Sequence, residues 1–125
     1  MRIALIQQHA TRDYKENLER GVKAFHQAVD AGAELIAFAE LAFLPFLPQI
    51  PSTPESLEKA ESIPGHTTNK FSALAKECGV VVVLNLFERD GENTYDSSPV
   101  IDADGTLIGI TRMRVPSASI TGEES

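Results

Sequence analysis

The sequence predicts a mixed α/β fold, with a parallel β-α-β start and an antiparallel meander after it. Three observations carry that prediction. Two short apolar runs, Ile3–Gln7 and Leu35–Ala39, flank a stretch whose apolar residues recur at helical spacing. A third run, Val80–Phe87, is apolar throughout. Two further runs follow it, set off by the turn dipeptides Asp90-Gly91 and Asp104-Gly105.

Both alternating faces of Ile3–Gln7 are apolar, which suits a central strand covered on both sides. Asp13 and Glu16 have the spacing of a capping box, and Leu18, Val22, Phe25 and Val29 continue the helix they open. Glu16–Arg20 and Glu19–Lys23 pair on its wet side, and Gly32 closes it. Leu35–Ala39 returns as a second strand, parallel to the first by a right-handed crossover. Residues 41–54 hold Pro45, Pro48, Pro51 and Pro54, which exclude regular structure, yet the segment is apolar and aromatic. Such a loop lines a pocket or an interface, and Phe43–Ile50 suits an uncharged substrate or a buried contact equally. Glu55–Glu61 is expected as a short helix before the Pro64-Gly65 turn. Thr67 or Thr68 then caps a helix with Phe71, Leu74, Ala75 and Cys78 on one face, ended by Gly79. Strands at Val80–Phe87, Tyr95–Ile101 and Leu107–Met113 make the meander. Residues 117–125, small and polar, are expected as an unstructured tail.

The 125 residues suit one domain, and 42% hydrophobic with 23% charged residues is a globular composition. A net charge of -7 and the lack of any basic cluster argue against nucleic acid or an anionic membrane as partner. No apolar stretch in the sequence approaches a membrane span. The one cysteine, Cys78, rules out an internal disulfide and favours a reducing, cytoplasmic setting.

Glu40 is the most informative polar residue. It ends a buried strand and opens the apolar loop, and ligands of open α/β sheets bind just outside the carboxyl ends of strands. A carboxylate held there, partly out of water, suits a general base; the plainer expectation is a solvated strand-end acid. Cys78 shares the apolar helix face just before a helix C-terminus, which disfavours a thiolate, so packing is its expected role. His9, His26 and His66 lack ligand spacing, and Asp102 and Asp104 read first as turn formers. Neither a metal nor an organic cofactor is expected.

From Arg2 to Pro116 the chain resembles the nitrilase superfamily of carbon–nitrogen hydrolases, amidase type. The residues carrying the likeness occur in order: Gln7, Asn17-Leu18, Ala31-Gly32-Ala33, Ala39-Glu40-Leu41, Ile63-Pro64-Gly65, Leu74-Ala75-Lys76-Glu77 and Val80–Val83. Glu88-Arg89-Asp90-Gly91, Tyr95 and Ile101-Asp102-Ala103-Asp104-Gly105 complete the series. The resemblance implies half of an αββα sandwich, with helices on one face of the sheet. It further implies hydrolysis of small non-peptide amides or nitriles by a Glu, a Lys and a Cys, with Glu40 as the general base. Arg112 stands at the position of the family's lysine and Arg114 where a histidine often lies. Arginine can stabilise an oxyanion but does not release its proton, so the substitution departs from the family pattern. The match places the nucleophilic cysteine downstream of the lysine strand, so Cys78 does not fill that role.

Two functional expectations follow. One is the N-terminal part of a carbon–nitrogen hydrolase, spanning residues 1–116 and inactive without its second half. The other is a non-catalytic, self-associating binding module, because half a sandwich exposes an apolar sheet face that a homo-oligomer would cover. A flavodoxin-like receiver fits poorly, since Gln7-Gln8-His9 stands where its acidic cluster belongs.

Overall fold

The computed structural model describes residues 1–39 and 60–115. Among these residues six strands form one sheet: β1 (Ile3–Ile6), β2 (Leu35–Phe38), β3 (Val81–Val83), β4 (Leu86–Asp90), β5 (Asn93–Ile101) and β6 (Leu107–Val115). Two helices among the described residues, α1 (Tyr14–Asp30) and α2 (His66–Cys78), connect its parallel part. β1, β2 and β3 run parallel, with Ile36 opposite both Ala4 and Val82. β5 then runs antiparallel to β3, β4 and β6. The mixed sheet with a parallel start and antiparallel finish is therefore as the sequence predicts.

The expected third strand is interrupted. Val82 pairs with Ile101 and Leu86 with Ser97, so β3 and β4 occupy successive stretches of one edge of β5. β6 takes the other edge, with a bulge where Val100 opposes Gly109 and Ile101 opposes Leu107. β6 also runs two residues beyond the expected Met113.

Asp13 caps α1 by accepting from the Glu16 amide at 3.2 Å, as the spacing implies. Asn17, fully buried on the next turn, accepts from the Thr11 amide at 2.8 Å and ties the β1–α1 loop to the helix. The cap of α2 differs from expectation. Gly65 is its N-cap, and the Thr68 hydroxyl accepts from the Gly65 amide at 2.7 Å. Thr67 and Thr68 thus lie inside the first turn, because Gly65 reaches the extended cap conformation close against Ser62, where a Cβ would clash with the Ser62 carbonyl at 2.2 Å. Of the expected Glu55–Glu61 helix, residues 55–59 lie outside the described residues. Glu61 itself forms a parallel bridge to Glu88.

The core lies between the helices and one sheet face. Phe25 of α1 and Phe71, Leu74 and Ala75 of α2 pack on Ile6, Ile36, Phe38, Val82, Leu84, Leu86 and Ile101. Phe71 meets Phe25 at 6.0 Å and Phe38 at 5.1 Å between ring centroids, both near edge-on. Gly105, at φ +88, lets the β5–β6 turn press on α2: a Cβ there would stand 2.9 Å from the Ser72 carbonyl oxygen.

β1 overturns one expectation. It lies at the end of the strand order rather than inside it. Its second apolar face is open, with Ile3 63% and Leu5 66% exposed, and Met113 of β6 is 57% exposed. Two-sided apolarity signals cover on both faces, and among the described residues only one cover, the helical one, is present. The apolar loop 41–54 and the tail 117–125 lie outside the described residues.

Phe71→Ala should lower stability by about 3–5 kcal/mol, the range for deleting a buried aromatic side chain. Lys23→Ala, on the exposed side of α1, should stay within about 0.5 kcal/mol. Urea unfolding followed by circular dichroism separates the two.

Candidate functional site

The parallel strands end together. The Ala39 amide donates to the Ile6 carbonyl at 2.8 Å, so β1 and β2 stay paired to their carboxyl ends. Both helices also begin at this end of the sheet, as βαβ topology requires. Glu40 follows Ala39 directly and lies outside the described residues.

A polar chain stands at the same end, and the sequence reading does not anticipate it. Thr67 donates its hydroxyl proton to Glu61 Oε2 at 2.7 Å, and the Thr67 amide donates to Oε1 at 3.0 Å. With that proton committed, Tyr14 is the donor in its hydrogen bond to Thr67 Oγ1. Burial pushes the Tyr14 phenol above its ordinary value, and the Glu61 charge adds to the rise. Tyr14 therefore remains a neutral donor, which suits locking α1 to the start of α2.

Arg112 does not stand free at a strand end. It opposes Ser97 across β5–β6, and its side chain reaches over β5 to Glu88 on β4. Nε donates to Oε1 at 2.8 Å and an Nη to Oε2 at 2.6 Å, a bidentate pair. Ser97 donates to the same carboxylate at 2.6 Å. Glu88 is 1% exposed and fully partnered, whereas the Arg112 side chain is 38% exposed. The guanidinium also lies 5.0 Å from the Tyr95 ring centroid, with Asp90 at 3.8 Å. Hydrogen bonding to Glu88 pushes its pKa up from an already high value, so it is a fixed cation. Arg112 shares its sheet face with Ile110, since their partners Ser97 and Pro99 alternate to the same side of β5. Its pairing partner Ser97 and its ion-pair partner Glu88 make that face locally polar, and the bulge at Ile108 breaks the alternation only before Gly109.

Glu88 was legible in principle. It keeps the alternation of Leu84 and Leu86, so an inward carboxylate could be read from strand parity, and an inward carboxylate requires a cation. Arg114 donates to Asn93 Oδ1 at 2.7 Å and is exposed. Asp102 and Asp104 accept from the Ala103 and Thr106 amides within the β5–β6 turn. Cys78 is half-buried at the end of α2. Burial, then the Glu77 and Asp30 charges, push its thiol up, which opposes the thiolate that nucleophilic attack requires. No cluster of His, Cys, Asp and Glu suited to a metal occurs among the described residues. No described helix is long and apolar enough to cross a membrane.

Among the described residues the fold is a mixed sheet with helices on one face, parallel at its start and antiparallel at its finish. The carbon–nitrogen hydrolase family profile matches residues 2–116, and the chain belongs to that family. It is 33% identical over 108 residues to the omega-amidase NIT2 of Xenopus tropicalis, covering 86% of this chain and 37% of that one. With the N-carbamoylputrescine amidase of Solanum lycopersicum it shares 37% identity over 114 residues, again 37% of that protein. The chain thus spans little more than a third of these relatives. In structure it is similar to a carbon–nitrogen hydrolase from Helicobacter pylori G27, with TM-score 0.75 and 24% identity over 88% of this chain and 38% of that one. An amidase from Nesterenkonia sp. gives TM-score 0.72 and 23% identity over 90% of this chain and 42% of that one. These likenesses establish the nitrilase-type fold, in part.

Arg112→Met should lower the unfolding midpoint by leaving the Glu88 carboxylate buried without its cation. The double variant Glu88→Met/Arg112→Met should recover most of that loss, since an apolar pair of similar volume tolerates burial. A recovery no better than additive would mean that the ion pair is not what holds β6 to β4.

Proposed function

We propose that the chain is the N-terminal part, residues 1–116, of a carbon–nitrogen hydrolase acting on a small non-peptide amide or nitrile. In this reading Glu40 is the general base that takes the proton of a cysteine thiol supplied by the rest of the protein. The observation that carries the reading is the family match over nearly the whole described chain, with Glu40 directly after the paired ends of β1 and β2. The amide chemistry in the relatives' names supports the substrate class. Arg112 is bound bidentately by Glu88, so in this reading it braces β6 and contributes at most a fixed positive charge to an oxyanion. No cofactor is needed for this chemistry, and a cytoplasmic setting accompanies it.

The 125 residues alone carry no family-type turnover in this reading, because Cys78 is a packing residue with a disfavoured thiolate. The exposed Ile3, Leu5 and Met113 favour a second reading alongside it: this stretch by itself is a self-associating, non-catalytic module. The two readings differ in what covers the open sheet face, the remainder of the hydrolase or a second copy.

Ammonia release from short aliphatic amides tests the first reading. The 125-residue chain should give none above background, and a product of the same gene extended through a downstream cysteine should give turnover that Glu40→Gln reduces by at least about 100-fold. Turnover by the 125-residue chain that Cys78→Ala abolishes would overturn the assignment. Sedimentation velocity tests the second: the chain should sediment as an oligomer, and Leu5→Lys should shift it toward monomer.

A further inference from the structure

The two helices meet at their base and at their first turns, and not along their outer flanks. Phe25 and Phe71 join them below, 6.0 Å apart, and the Tyr14–Thr67 hydrogen bond joins them at one end. Between these contacts, two ridges at four-residue spacing face each other: Tyr14, Leu18 and Val22 on α1, His66 and Lys70 on α2. The ridges do not interdigitate. They leave a cavity of about 570 Å³, whose rim is completed by Lys15 and Glu19.

The lining divides by chemistry. Leu18 and Val22, half-buried, form an apolar floor that packs on the core below. The Tyr14 ring closes one end, tilted 57° to the His66 imidazole at 6.1 Å. Tyr14 donates its hydroxyl proton inward to Thr67, so its ring and not its polar tip faces the groove. Lys15, Lys70 and Glu19 are all exposed on the rim. Two lysines against one glutamate leave a formal charge of +1 on the rim of a chain whose net charge is -7. The groove thus carries a positive rim on an acidic molecule, and its volume falls within the roughly 300–1,000 Å³ of small-molecule sites. An apolar floor under a cationic rim fits a flat or short-chain body carrying one negative charge. None of the lining residues belongs to the hydrolytic set named above.

We propose that the α1–α2 groove is a binding site for a small amphipathic monocarboxylate, an aryl or short alkyl acid. Its apolar body lies over Leu18 and Val22 against the Tyr14 ring, and its carboxylate is held at the lysine rim. Glu19, also on the rim, limits its positive charge to what one carboxylate neutralises.

Phenylacetate is the probe, with phenethyl alcohol and phenethylamine as neutral and cationic molecules of the same body. Two-dimensional amide NMR of the 125-residue chain should show phenylacetate shifting resonances of residues 14–22 and 66–70 in a saturable manner. Phenethylamine should bind at least about tenfold more weakly, equivalent to about 1.4 kcal/mol. Lys70→Glu should weaken phenylacetate at least about fivefold and Glu19→Lys should tighten it, two exposed changes of opposite sign whose spectra also report that the fold is intact. Equilibrium dialysis with labelled phenylacetate gives the same comparison if self-association broadens the spectra. Equal affinity for the three probes overturns the proposal. So do shifts reproduced by acetate alone, shifts that map elsewhere, or an affinity unmoved by both charge changes.

Discussion

Phe71 projects from α2 into the space between Phe25 of α1 and Phe38 of β2, meeting both rings edge-on. Most of the described architecture hangs on that wedge. It fixes both helices to the same face of the sheet and sets their separation. That separation aligns Tyr14 with Thr67 and leaves the outer groove between the helices. It also holds the carboxyl end of β2, from which the chain passes to Glu40. The wedge is a packing constraint, without direction of its own, so hydrogen bonds must supply the angular precision that it lacks. The Tyr14–Thr67–Glu61 chain supplies it at the start of the helices, and the Asn17 bonds supply it in the β1–α1 loop.

The meander obeys a different constraint. A buried carboxylate is tolerated only with full compensation, and Glu88 receives three donors from two residues. Because Glu88 lies on β4, Ser97 on β5 and Arg112 on β6, the pair crosses the meander and fixes three strands in register. The position where the family resemblance implies a lysine therefore carries a cation already committed to structure. Bracing of this kind and proton transfer are incompatible demands on one guanidinium, which keeps its charge throughout.

Much of the fold is legible in local pattern. Period-four apolar spacing marks α1, the capping spacing of Asp13 and Glu16 marks its start, and Asp104-Gly105 marks the last hairpin. The failures are equally local in cause. Gly65 caps α2 in place of a threonine because the turn folds its backbone against nearby Ser62 too closely for a Cβ, a local contact that residue preference misses where Thr67 and Thr68 look better suited. β1 reads as central because alternation reports whether a face is apolar, not whether its cover is present. For the site, the role proposed for Glu40 is legible through strand-end position and family likeness together. The Tyr14–Thr67–Glu61 chain is not, since 53 residues separate its tyrosine from its threonine.

By itself the sequence determined the class of fold, the order of its elements and membership in a family of carbon–nitrogen hydrolases. Those depend on periodicity, turn chemistry and ordered motifs, all short-range along the chain. Only the tertiary structure decided that Arg112 is the partner of Glu88, that the third strand is split across one edge of β5, and that a cationic groove lies between the helices. Each of these is a relation between residues far apart in sequence. Their energies come from burial and from opposed charge, and both are defined only once the chain has closed on itself.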